Sequence, residues 1–477
     1  MYDFIKTIFY EFRQAIPLAL IGVGTGVLLL FLLDRKYRRD GKKFPKGQAV
    51  AALLLLCYLG GLAAITFMNR MDGMQMGFQL YPLLAFREAW NAFTLQTWLN
   101  PLLNIAMFIP LGVLLPLTGK AFRRWHWMLL AGAGVSLGIE VLQYLLGRGQ
   151  ADIDDLICNT LGAMLGYSLC LFFVSLIRKR WRLVGRYAAL PCLFAAALAG
   201  VFLVYHVQPY GNLEDAPIYA ANTKGVEWVQ DCELSDESGL AGVYWAEPFT
   251  KEDCDQFATE FLGHQGAEID PDMTDIAYYD TIAFYSDHHT YSLTVNYKDR
   301  SYKYLDFRVD VRSSEKGGKI TEEDLRAAIE KLGIQIPDAA EFSVLNEERG
   351  TYAFTANSVM EGDQLIDGEL TCQVVEGGIL YEVDNALSIS DRYADAAVIS
   401  SQEAYEKLCA GYFSWRDVPA FNYLAPQKVR VVACTLGYLS DSKGFRQPVY
   451  YFTMSDENDV KYRGGNTWTT FVPALAK

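Results

Sequence analysis

The chain has 477 residues, 51% of them hydrophobic, and a formal net charge of −14. Residues 1–207 carry 20 Lys+Arg against 10 Asp+Glu, while residues 208–477 carry 22 against 46. An apolar, basic first part and an acidic second part indicate a membrane domain joined to a soluble one, and argue against nucleic-acid binding, which needs Lys and Arg to displace counterions from phosphate.

Six apolar runs approach or reach the roughly 20 residues needed to cross a bilayer as a helix. They are 15–33, 49–67, 99–118, 127–146, 156–177 and 187–207. The positive charge of the first run follows it, and no small-x-small cleavage site is evident, so it reads as a retained span and not a signal peptide. Basic residues crowd three loops: 34–48 (with Arg35, Lys36, Arg38 and Arg39), 119–126 (Lys120, Arg123, Arg124) and 178–186 (Arg178 to Arg186). The positive-inside rule makes these loops cytoplasmic, which places the N-terminus and residues 208–477 outside the cell membrane.

The connection 68–98 repeats Leu83, Phe86, Trp90 and Phe93 at helical spacing, with Trp98 leading into the next span. This pattern fits an interfacial amphipathic helix with aromatic anchors, or equally a surface helix packed on the bundle. Past Tyr205 the pattern becomes mixed, and 208–224 reads as a linker. Alternation predicts strands at Tyr291–Tyr297 and Leu305–Val311. A helix follows, capped by Thr321 and stopped at Gly333 and Pro337. Further strands are expected at Tyr352–Ala356, Glu369–Val375 and Ile379–Val383, the last two joined by a Glu-Gly-Gly turn. Ser400-Ser-Gln-Glu403 is a capping-box signature opening a helix closed near Gly411, with strands after it at Val429–Leu436 and Val449–Met454. The predicted fold is a six-span α-helical transmembrane bundle followed by an extracellular α+β region with antiparallel sheets. Its parts are 1–48 (first span and basic loop), 49–207 (membrane domain), 208–224 (linker), and two α+β modules, 225–395 and 396–477.

Nine cysteines form no C-x-x-C pair or metal pattern; spacing leaves a Cys232–Cys254 bridge open. His288-His289 reads as a solvated turn, because a metal needs three or four converging ligands. No metal or cofactor is expected.

The polar residues inside the spans carry the functional signal. A charge or carboxamide in hydrocarbon costs a few kcal/mol (~2.5–3.5 for Asp or Arg at a helix centre), so it is usually kept for pairing or function. Residues three or four apart share a helix face, which aligns Asn100 with Asn104, Ser136 with Glu140 and Gln143, and Asp155 with Asn159. The topology puts all three faces in the outer half of the membrane, with Arg148, Asp152, Asp154 and Asp155 in or beside the loop that caps them. Gly112, Gly162 and Gly166 permit close backbone approach. The candidate ligand-binding set is therefore Asn100, Asn104, Glu140, Gln143, Arg148, Asp152, Asp155 and Asn159. Three readings follow. The pocket binds the polar head of an outer-leaflet lipid or amphiphile, such as a cell-wall precursor or a lipoglycopeptide; Glu140 and Asp155 act as an acid–base pair on a lipid-linked substrate; or the groups only satisfy one another in a sensor or scaffold. A structural role predicts loss of folded protein for Asn104→Leu or Asn159→Leu and little effect of Asp154→Asn.

The combined pattern Asn100-x3-Asn104-x3-Phe108-x-Pro110-x-Gly112, Glu140-x-x-Gln143, Arg148 and Asp152-x-x-Asp155-x3-Asn159-x-x-Gly162 resembles the VanZ-like family over roughly residues 50–178. The resemblance implies a multi-span membrane domain, and the family's namesake is linked to resistance to the lipoglycopeptide teicoplanin. The long acidic region departs from the short family form. Within it, Ile399-Ser-Ser … Glu403-Ala-Tyr405 and Gln447-Pro-Val-Tyr-Tyr-Phe452 resemble PepSY/YycI-like modules, which implies a binding or regulatory module and not an enzyme.

Overall fold

The computed structural model describes residues 45–68, 78–147, 151–273, 275–278, 281–309, 317–414, 428–456 and 467–476, with isolated positions between 24 and 39. The chain divides into two compact units at residues 208/209, with the short stretch 91–93 grouped with the second.

Among the described residues of the first unit, five helices are long and apolar enough to cross a membrane. They are α1 (Lys46–Met68), α3 (Leu95–Thr118), α4 (Trp125–Leu145), α5 (Ile153–Ile177) and α6 (Trp181–Val207), with the short α2 (Leu84–Ala92) between the first two. These five coincide with five of the expected six spans; most of the run 15–33 lies outside the described residues. A two-residue parallel ladder joins β1 (Phe78–Gln79), ahead of α2, to β2 (Ala151–Asp152), ahead of α5.

The bundle is centred on α5, whose buried face includes Cys158, Gly162, Ala163, Gly166 and Tyr167. Glycine is required where α5 meets α3. A Cβ on Gly162 would stand 2.0 Å from the Ile105 carbonyl oxygen, one on Gly166 2.1 Å from that of Ile109, and one on Gly112 2.0 Å from that of Ala163. Around this contact pack Leu62, Phe108, Leu111, Met128, Ala163, Tyr167 and Leu171. Tyr58 Oη donates to the Met107 carbonyl at 2.8 Å, and Tyr167 Oη to that of Arg123 at 2.9 Å. The aromatic helix α2 packs on the bundle: Phe86 joins Ile105, Cys158 and Leu165, and Trp90 meets Tyr205 edge-on at 6.2 Å.

The second unit is built on a 14-stranded sheet in the order β3-β14-β15-β4-β13-β11-β12-β8-β7-β6-β5, with β9 and β10 branching from β11 and β16 from β15. The strands are β3 (Glu227–Gln230), β4 (Gly239–Trp245), β5 (Asp275–Tyr278), β6 (Thr281–Tyr285), β7 (Tyr291–Asn296), β8 (Tyr302–Asp306), β9 (Glu341–Asn346), β10 (Thr351–Glu361), β11 (Gln364–Val375), β12 (Ile379–Asn385), β13 (Ser388–Val398), β14 (Lys428–Ser440), β15 (Phe445–Asp456) and β16 (Thr467–Pro473). Helices α7 (Lys251–His264) and α8 (Glu322–Lys331) bury Phe261, Leu262, Leu325 and Ile329 in one core, and α9 (Ser401–Cys409) buries Ala404 and Leu408 in another. The caps expected at Thr321 and Ser400 form, their hydroxyls accepting the N–H of Asp324 at 3.2 Å and Glu403 at 3.0 Å. Gly333 and Gly411 end their helices with φ of +80° and +88°, a conformation that glycine adopts without strain.

Two expectations need correction. The sheet is mixed, because β3 runs parallel to β14. A parallel pair needs a long crossover, and here nearly the whole unit intervenes, so local alternation carried no sign of it. The strand expected at Leu305–Val311 is shifted toward the N-terminus and ends at Asp306, where the Arg308 guanidinium folds back on the Asp306 carboxylate at 2.7 Å. All nine cysteines are free, Cys232 and Cys254 included, and His288 and His289 occupy an exposed turn.

The glycine contacts give a direct test. Gly162→Ala should cost about 1–3 kcal/mol or more through overpacking, whereas Gly138→Ala, with nothing within 4 Å of its Cβ, should leave stability unchanged or slightly raised. Thermal melts and gel filtration of the full-length protein in detergent measure both. Equal melting points would contradict the packing described.

Candidate functional site

The polar face of α4 carries Ser136, Glu140 and Gln143, all buried on the side that also holds Met128 and Gly132. Because α4 and α5 are sequential and joined by a short loop, the last turns of α4 stand beside the first turns of α5. Three sequence-predicted residues of α3 and α5 then meet this face or one another. Asn104 Nδ2 donates to Asp155 Oδ1 at 2.5 Å, and Asn159 Nδ2 donates to Ser136 Oγ at 3.0 Å. Glu140 Oε2 accepts the backbone N–H of Asp152 at 3.1 Å, which ties the end of α4 to the start of α5.

Gln143 reaches elsewhere. Its Nε2 donates to the Thr66 carbonyl at the end of α1, at 3.1 Å. That bond fixes the orientation of the carboxamide, since a reversed amide would set two oxygens against each other. Gln143 Oε1 is left buried without a partner, and so are Asn159 Oδ1 and the Thr160 hydroxyl. Turning the Asn159 amide would exchange which atom is unmet without removing the vacancy. Leaving a buried polar atom unmet costs about 1–3 kcal/mol.

Asp152 is the N-cap of α5, its carboxylate accepting the Asp154 N–H at 2.8 Å. Burial raises its carboxyl above the ordinary carboxylate range; the Asp154 N–H bond works against that shift, and the charges of Asp154 and Glu88 add to it. Asn100 lies exposed one turn before Asn104 and is not drawn into the cluster. Arg148 lies outside the described residues.

Asp154 emerges as a central residue that sequence spacing did not single out. It is 2% exposed, and its two carboxylate oxygens accept the N–H of Leu83 at 2.5 Å and of Ala85 at 2.7 Å. A carboxylate there caps the N-terminus of α2 and meets the positive end of its dipole. Leu83 itself has a φ of +62°. The partners are backbone groups some seventy positions away, and backbone N–H groups leave no mark in a sequence. The expectation that Asp154→Asn matters little therefore reverses.

Chemically, the assembled end of the bundle is rich in acceptors: the carboxylates of Glu140, Asp152, Asp154 and Asp155 and two unmet carboxamide oxygens. Both residues considered as acid–base catalysts, Glu140 and Asp155, are held as hydrogen-bond acceptors.

Residues 50–178 match the VanZ/LLP1 family model. This segment is a VanZ-like membrane domain. The match covers nearly all of α1 and the whole of α2, α3, α4 and α5, the helices that carry the polar contacts described above. No curated protein matches the chain. Among solved structures, that of an uncharacterized protein from Eubacterium rectale is similar at 11% identity and a TM-score of 0.29, over 52% of this chain and 87% of that one. A likeness at that score carries no argument about fold or function.

Asp154→Asn should release the start of α2. One of the two oxygens becomes an amide that cannot accept, so a buried N–H goes unmet at a cost of about 1–3 kcal/mol. A fall of several degrees in the melting point of the full-length protein is expected; an unchanged melting point would contradict the capping role.

Proposed function

We propose that the VanZ-like domain binds, from the outer face of the cell membrane, the polar head of an outer-leaflet lipid or amphiphile such as a cell-wall precursor or a lipoglycopeptide. The observation that carries the reading is the surplus of acceptors at one end of the bundle, with Gln143 Oε1 and Asn159 Oδ1 buried and unmet. A head group bearing amines, amides or hydroxyls would supply the missing donors. The cytoplasmic assignment of the basic loops at 34–48, 119–126 and 178–186 supports the outward orientation of this end. On this reading the acidic C-terminal unit lies outside and acts as a binding or regulatory module, as its resemblance to PepSY/YycI-like modules suggests, and the protein contributes to teicoplanin-type resistance or to envelope homeostasis.

The second reading, a polar cluster that only holds helices together, draws support from the pairs Asn104–Asp155 and Asn159–Ser136. Such pairs contribute about 0.6 kcal/mol each in a bilayer. It leaves the unmet oxygens without a role.

Titration of teicoplanin into full-length protein in lipid nanodiscs separates the two. Head-group binding predicts saturable association, weakened about tenfold or more by Glu140→Gln, since hydrogen bonds to charged groups contribute about 1.5–3 kcal/mol, with the melting point retained. Absence of binding, or equal binding by the variant, would sink the proposal.

A further inference from the structure

The C-terminal unit holds a polar cavity of its own, about 210 Å³ in volume. At about 30 Å³ per water it has room for roughly seven waters, or a ligand of that size. Ser388 and Ser390 line it from one face of β13, and Arg446 from β15. The Arg446 guanidinium is mostly buried, bonded through Nη1 to Asp367 Oδ2 at 3.1 Å and through Nη2 to Ser388 Oγ at 2.6 Å. Those two bonds leave further N–H groups of its five-donor fork for a ligand. Ser390 is 1% exposed, and its hydroxyl lines the cavity without a hydrogen-bond partner among the described residues. Lys298, Asp299, Glu214 and Asp441 are among the other residues that line it.

Two lining carboxylates already hold bonds, Asp299 accepting the N–H and hydroxyl of Ser301 through Oδ1 alone, which leaves its Oδ2. The Asp441 carboxylate accepts the N–H groups of Gly211, Lys443 and Phe445, and Gln447 Nε2. It fixes the turn between β14 and β15 and so holds Arg446 in place.

We propose that this cavity binds a small zwitterion of amino-acid size, with its carboxylate on Arg446 and Ser390 and its ammonium toward Asp299 and Glu214. A guanidinium fork matches a carboxylate in geometry as well as charge. The lining offers both signs, and residues 208–477 carry 22 cationic against 46 anionic side chains. That field opposes a ligand of net negative charge such as phosphate. A neutral polyol would bring no charge to meet the remaining donors of Arg446.

Calorimetric titration of the full-length protein in nanodiscs tests this with glycine, serine and glutamine as probes and glucose and inorganic phosphate as counter-probes. At least one amino acid should bind saturably in the millimolar range or tighter, and neither counter-probe should. Ser390→Ala removes a hydroxyl with no internal partner, so the melting point should hold while affinity falls about fivefold. Arg446→Lys keeps the charge but loses the fork, and should weaken binding about tenfold or more. Failure of all three amino acids to bind, equal binding of glucose or phosphate, or wild-type affinity in Ser390→Ala would overturn the assignment.

Discussion

Three places where a carbonyl oxygen lies against a glycine, Gly112 on Ala163, Gly162 on Ile105 and Gly166 on Ile109, set how near α3 and α5 approach. Inside a bilayer no hydrophobic driving force brings helices together, so packing of this kind does the work. Three contacts spread over about two turns leave little freedom for either helix to slide or rotate. The register of α3 against α5 follows, and with it the meeting of Asn104 and Asp155. A helix pair held apart by even one methyl group could not form that bond.

The same α5 that supplies two of the three glycines also carries the polar residues at its first turns. Asp152 caps it, Asp154 reaches back to the start of α2, Asp155 meets α3, and Asn159 meets α4. One helix start thus organises most of the bundle's polar end, and Glu140 closes the loop by holding the Asp152 N–H. Most of these groups are matched. The unmet oxygens of Gln143 and Asn159 stand out against that background, because a native bundle usually satisfies what it buries. In the C-terminal unit, Gln265 Nε2 is likewise buried and unmet, while Ser390 and Arg446 line a polar cavity.

What could be read from sequence follows a physical line. Side-chain signals with local spacing were legible: the stripe Ser136, Glu140 and Gln143, the small residues at Gly112, Gly162 and Gly166, the caps at Thr321 and Ser400, and the stops at Gly333 and Gly411. Contacts to backbone groups were not, which hid Asp154 on Leu83 and Ala85 and Gln143 on Thr66. Non-local pairing was equally silent, as β3 beside β14 shows. Helix α7 does carry a local signal in the sequence. Thr250 and Asp253 form a capping box, with Thr250 Oγ1 accepting from Asp253 N and Asp253 accepting from Thr250 N. The polar, weakly patterned sequence between them and His264 masked it.

The central claim is that the polar end of the VanZ-like domain is the working site. Its most direct test is teicoplanin and vancomycin susceptibility in a host lacking this chain, complemented with wild type, Glu140→Gln or Asp155→Asn, each checked for expression. Restored teicoplanin tolerance with wild type and its loss in both variants, with vancomycin unaffected, is the predicted result. Tolerance that is the same with and without the chain, or restored equally by the variants, would contradict the claim.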